Sequence, residues 1–154
     1  MNRFAGIMQA IGWIAAVVWL ATWIQGYRVE AALSELAWHT IGSMTAAALS
    51  LLARGWTLSY LLLTARDSRR AAAPGDPGSR GIAARRVAIV AALLFAAWMI
   101  FVFALSGQLL WHRIGPLTHS AVGLVTVILH VVALLLERQA LASESVPSRI
   151  APAV

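Results

Sequence analysis

The sequence predicts an all-α polytopic membrane protein, four transmembrane helices in an antiparallel bundle with the N and C termini cytoplasmic. Three observations carry this expectation. Of 154 residues, 60% are hydrophobic and only 12% charged, against about 25% charged in an ordinary soluble domain. The apolar residues gather in four runs, each close to or above the roughly 20 residues a helix needs to cross a hydrocarbon core. The formal charge of +6, from twelve basic and six acidic residues, lies mostly in the short stretches between those runs. Backbone in lipid must satisfy its own hydrogen bonds, so the runs read as helices and not as open strands. This composition excludes a water-soluble enzyme, a disordered chain and a disulfide scaffold. With no cysteine, thiolate chemistry, iron–sulfur clusters and Cys-ligated zinc are excluded too.

The first helix is expected over 4–25. It is too long for the apolar core of a signal peptide and lacks a small-x-small cleavage site, so it reads as a retained span. The second is expected over 37–64, the third over 87–111 and the fourth over 116–136. The connection 65–86 carries Arg66, Arg69, Arg70, Arg80, Arg85 and Arg86 against Asp67 and Asp76. Arg3 precedes the first helix, and Arg138 and Arg149 follow the last. The other two connections carry only Arg28 and Arg113, with Glu30 and Glu35. The positive-inside bias therefore puts both termini and the middle connection in the cytoplasm. Trp23, Trp38 and Trp111 fall near the outer ends, the headgroup level that an amphipathic indole prefers. Residues 73–81, rich in Pro and Gly, read as a flexible linker between two hairpins. Residues 139–154 read as a disordered cytoplasmic tail, and the domain is one bundle over 1–138.

Polar residues inside the spans are costly and seek partners, so their spacing is informative. The second helix holds His39, Ser43, Ser50, Arg54 and Thr57, the last four at offsets 4, 11, 15 and 18 from the histidine. At about 100° per residue these share one face roughly 60° wide. The fourth helix holds His119, Gly123, Thr126, His130 and Glu137, at offsets 4, 7, 11 and 18. The two helices match as a pseudo-repeat: His39 with His119, Ser43 with Gly123, Ser50 with His130, and Thr57 with Glu137. Alternate helices of a four-helix bundle lie diagonally across its core, so the two stripes are expected to face each other. Arg54 is the costliest residue, at about +2.5 kcal/mol or more near mid-membrane. Its nearest acid is Glu137, about one turn lower. An Arg54–Glu137 ion pair is one expectation; an anionic group held by Arg54 (quinol headgroup, lipid phosphate or propionate) is the other.

His39 and His119 each lie a few residues inside the outer end of their helix. Two imidazoles level with each other on diagonal helices are placed to hold one planar metal cofactor between them, as haem iron takes axial histidines. Ser43 and Gly123 are small enough to leave room for a macrocycle, and His112 and Arg113 are placed to reach propionates at its rim. A second haem at the level of His130 lacks a partner, because the matching residue is Ser50. One haem b, with iron on His39 and His119, is therefore expected. Small and hydroxyl residues in a stripe also serve ordinary packing between membrane helices, which gives Ser43, Ser50 and Gly123 an alternative role.

The stretch FALSGQLLW, a short loop and LTHSAVGLVTVILHVVALLLER, within 87–138, resembles half of a haem A synthase. More loosely, it is similar to the small cytochrome b561-like membrane families. In the synthases a histidine opens each even helix, the first within E-x-x-H-R; here Glu35 stands four residues before His39, with Thr40 after it. The b561-like families use histidines 11 to 14 residues apart on a helix, a spacing met here by His119 and His130. The resemblance implies a b-type haem membrane protein.

The expected function is thus a bis-histidine membrane cytochrome moving electrons near the outer leaflet, with a quinone or another redox partner. The alternative is a cofactor-free accessory subunit of a larger membrane complex, or a small transporter module or homo-oligomer. Its polar seam of Ser50, Arg54, His130 and Glu137 would then serve packing or a proton-sensitive path. Haem-modifying catalysis is a third possibility. Phosphate loops, zinc-protease motifs and nucleophilic triads are not legible. The arginine clusters read as a cytoplasmic flank that attracts anionic lipid, and no nucleic-acid partner is expected. Abundant Ala and Arg without Lys points to a bacterial inner-membrane protein from a GC-rich genome.

Overall fold

A computed structural model of the chain describes residues 3–26, 33–71, 78–105 and 116–144, with side chains over 3–26, 37–64, 81–103 and 117–143. Every described residue is helical: α1 (Arg3–Gly26), α2 (Leu33–Ala71), α3 (Gly78–Leu105) and α4 (Pro116–Glu144). Within them, Arg3–Gly26, Ala37–Thr64, Gly81–Phe103 and Leu117–Ser143 are each long and apolar enough to span a membrane. Pro116 opens α4 at the one helical position where a missing N–H costs nothing and a fixed φ helps.

The helices outrun the apolar segments. α2 runs for 39 residues, or about 58 Å at 1.5 Å per residue, well beyond a bilayer core. It begins at Leu33, four residues before the expected 37, and carries its arginine-rich end on to Ala71. Arg and Ala are strong helix formers, so the polar flank continues the helix that lipid began. α3 starts at Gly78, inside the stretch expected to be a flexible linker; residues 72–77 lie outside the described residues. At its other end α3 is described as far as Leu105, and the expected end at 111 lies outside the described residues. Trp111, His112 and Arg113 all lie outside the described residues. α4 continues to Glu144, past the expected end at 136 and into the segment expected to be disordered, while 145–154 lie outside the described residues.

Each helix packs on its two chain neighbours around a ring, α1 closing onto α4, so that α2 and α4 face each other across the diagonal. At the end where α1 begins and α4 finishes, Ala5, Leu61, Ala88, Ala140 and Leu141 form one apolar layer. Nearer the middle, Trp19, Ala46, Ala47, Phe95 and Met99 form a second. The interior is built largely of alanine, whereas Leu63, Ile100, Leu94 and Val17 project outward. Lipid is as apolar as leucine, so large side chains gain nothing from the interior; small ones let backbones approach and gain dispersion contacts.

Tryptophans pin both hairpins. Trp19 Nε1 donates to Ser50 Oγ at 3.1 Å, joining α1 to α2, and Trp98 Nε1 donates to Thr126 Oγ1 at 2.9 Å, joining α3 to α4. Each hydroxyl spends its own proton on its helix, Ser50 on the Ala46 carbonyl and Thr126 on the Val122 carbonyl. The oxygen is thereby left as the acceptor the indole needs.

Candidate functional site: a polar column between α2 and α4

Arg54 occupies the centre of the column and is 3% exposed. Its Nη1 donates to Glu137 Oε1 at 2.8 Å, forming a buried ion pair. Its Nη2 lies 2.9 Å from His130 Nδ1 and donates to the His130 carbonyl at 2.9 Å. On the remaining side the guanidinium carbon stands 4.0 Å from the centroid of the Phe95 ring, a cation–π contact in desolvated surroundings. The same phenyl ring lies 5.2 Å from the His130 imidazole.

These contacts determine the state of His130. Arginine has only donors, so Nδ1 must accept. The other ring nitrogen, Nε2, lies 2.9 Å from the Gly12 carbonyl of α1, and a carbonyl only accepts, so Nε2 must carry the proton. Both partners are satisfied by one species, the neutral imidazole protonated on Nε2. Gly12 also admits Leu134: a Cβ at position 12 would collide with the Leu134 Cδ2. Through one guanidinium and one imidazole, side chains on α2, α3 and α4 and the backbone of α1 are joined at a single level.

A second cluster lies at the other end of the column. His39, 8% exposed, packs against His119 with ring centroids 5.6 Å apart and planes at 67°. The nitrogen-bearing edge of His39 faces α1. A Cβ on Gly26 would stand 3.1 Å from its Cε1, and the Thr22 carbonyl lies within hydrogen-bonding reach. His39 Nδ1 is buried and meets no partner among the described residues. Trp23 of α1 fills the space beside the pair. Its Nε1 donates to the Ser120 carbonyl at 2.9 Å, and its Cδ1 sits 2.6 Å from where a Cβ on Gly123 would be.

Two imidazoles on opposite faces of a porphyrin stand about 6 Å apart, centroid to centroid, on a line through the iron. The histidine pair matches that requirement in donor type and level, but its rings meet edge to face, and the nitrogen-bearing edge of His39 faces α1 and not His119. The volume does not match either: the notch expected to admit a macrocycle at Gly123 holds the Trp23 indole. Ser43 is half-buried and spends its hydroxyl on the His39 carbonyl at 2.9 Å.

Most of the expected stripe faces inward, while Ser43, His119 and Gly123 are half-buried. His39, Ser50, Arg54 and Thr57 on α2 and Thr126, His130 and Glu137 on α4 are all buried. Arg54 reaches both Glu137 and His130. Ser50, paired in sequence with His130, instead accepts from Trp19. Trp23, expected at headgroup level near the outer end of its helix, is half-buried and bonds to α4. Sequence reasoning passed over Gly12, Gln9, Trp19, Phe95 and Trp98. A glycine or glutamine in the first span was a legible signal; the indole contacts depend on which face each tryptophan presents.

No protein-family model, no curated protein and no solved structure matches this chain.

Proposed function

We propose that the protein is a membrane electron-transfer component that holds one b-type haem between His39 and His119, near the outer leaflet of a bacterial inner membrane. The observation that carries this reading is the contact of the two imidazoles at one level on diagonal helices, with a His39 nitrogen that meets no partner among the described residues. The chain's part is to present the two imidazoles and to shield the group within an apolar bundle; the haem supplies one-electron chemistry. For the macrocycle to seat, the Trp23 indole must leave the Gly123 notch. An outer redox partner or quinone, and assembly with a larger complex, belong to the same proposal.

A second reading is favoured by the fit of Trp23 itself: a cofactor-free membrane module, either an accessory subunit or part of a transporter. Absorption spectra separate the two. Under the first, purified protein shows a reduced α-band that disappears in His39→Ala and His119→Ala, and Trp23→Ala takes up haem more readily on reconstitution. A colourless protein that stays folded and does not take up haem, with or without Trp23, overturns the cytochrome. Co-purification with a larger complex, or substrate flux in proteoliposomes, would then support the module.

A further inference from the structure

Gln9 of α1 is 6% exposed, and neither its Oε1 nor its Nε2 meets a hydrogen-bonding partner among the described residues. A buried amide lacking both bonds is expensive wherever water is absent, and in lipid the cost is greater still. Arg54 Nε is likewise buried and meets no partner among the described residues.

These orphans share a neighbourhood, fixed by helix register from two sides. Toward the chain-terminal end, Ala5, Leu61 and Leu141 lie in one layer. One turn inward from it, four residues along each chain, stand Gln9, Thr57 and Glu137, about 6 Å deeper. Toward the middle, Gly12 packs against Leu134; three residues back on α1 and three onward on α4 give Gln9 and Glu137 again. Positions three or four apart share a helix face, so Gln9 lies on the face of α1 that meets α4. Arg54 precedes Thr57 by three residues on the buried face of α2.

From this placement we infer that Gln9, Glu137 and Arg54 enclose bound water, an internal hydration site between the ion pair and the apolar layer at the chain-terminal end. A ligand that satisfies these atoms must accept from the Gln9 amide and from Arg54 Nε, and donate to the Gln9 carbonyl oxygen. Water does both, and a space of about one probe sphere suffices for it. An anion fits poorly, because Glu137 already balances the Arg54 charge. The Ala5–Leu61–Ala88–Ala140–Leu141 layer separates the site from the surface, so the water is enclosed and not part of an open channel. This inference is independent of any cofactor at the histidine pair.

Two measurements test it on the full chain in lipid. Water-edited solid-state NMR should show transfer from water to the Gln9 side-chain amide at short mixing times. The Trp19 indole N–H, whose acceptor is Ser50, serves as the dry reference. Independently, Gln9→Leu, which removes the amide at similar volume, should move the unfolding midpoint to lower SDS, because bridging bonds are lost. A dry Gln9 amide, or a Gln9→Leu variant as resistant as the parent or more so, overturns the inference.

Discussion

Glu137→Leu should destabilise the bundle by about 3–5 kcal/mol, the usual cost of removing one partner of a buried ion pair. The substitution leaves Arg54 enclosed beside Phe95 and His130, with one neutral imidazole and one carbonyl as its acceptors among the described residues. Replacing both charges, Arg54→Met with Glu137→Leu, should be far milder than the sum of the single changes. Well-packed apolar side chains often substitute for a buried pair at little or no net cost. Steric trapping or SDS titration of the two singles and the double reads this directly. If Glu137→Leu unfolds at the parent's midpoint, the ion pair does not hold the bundle together.

Gly123→Ala should cost about 1–3 kcal/mol, the range for overpacking a filled interior. Its new methyl would stand 2.6 Å from Trp23 Cδ1. The indole is rigid and cannot retreat without giving up its bond to the Ser120 carbonyl. Either α1 moves off α4 or that bond breaks. The control is Gly55→Ala, where nothing among the described residues lies within 4 Å of the added carbon. There the variant should gain up to about 1 kcal/mol of helix propensity. Unfolding midpoints of the two variants should therefore shift in opposite directions; equal behaviour would show that Trp23 does not sit in the notch.

Much of this architecture was legible because lipid imposes a simple rule: long apolar runs must be helices, and polar residues within them must find one another. That rule brought Arg54 to Glu137 and turned the offsets from His39 and His119 into two facing stripes. It did not set helix ends, since α2 and α4 continue through charged residues that water and helix propensity favour equally well. Nor did it reveal what fills the space beside a small residue. Gly123 reads the same whether it faces a macrocycle or an indole; Trp23 is the occupant because α1 packs on α4 at that level. Gly12 illustrates a second limit. Its role is to bring a backbone carbonyl within reach of His130, and main-chain acceptors carry no sequence signature beyond the absence of a side chain.

His130 is where the four helices meet, and its two ring nitrogens report that meeting separately. Site-resolved 15N NMR of the imidazole in lipid bilayers distinguishes a protonated from an unprotonated nitrogen at each position. A protonated Nε2 with a bare Nδ1 is the predicted pattern, with Nε2 coupled across a hydrogen bond to the Gly12 carbonyl. A proton found on Nδ1, in either the other neutral tautomer or the imidazolium, would contradict it, because that nitrogen could then no longer accept from Arg54.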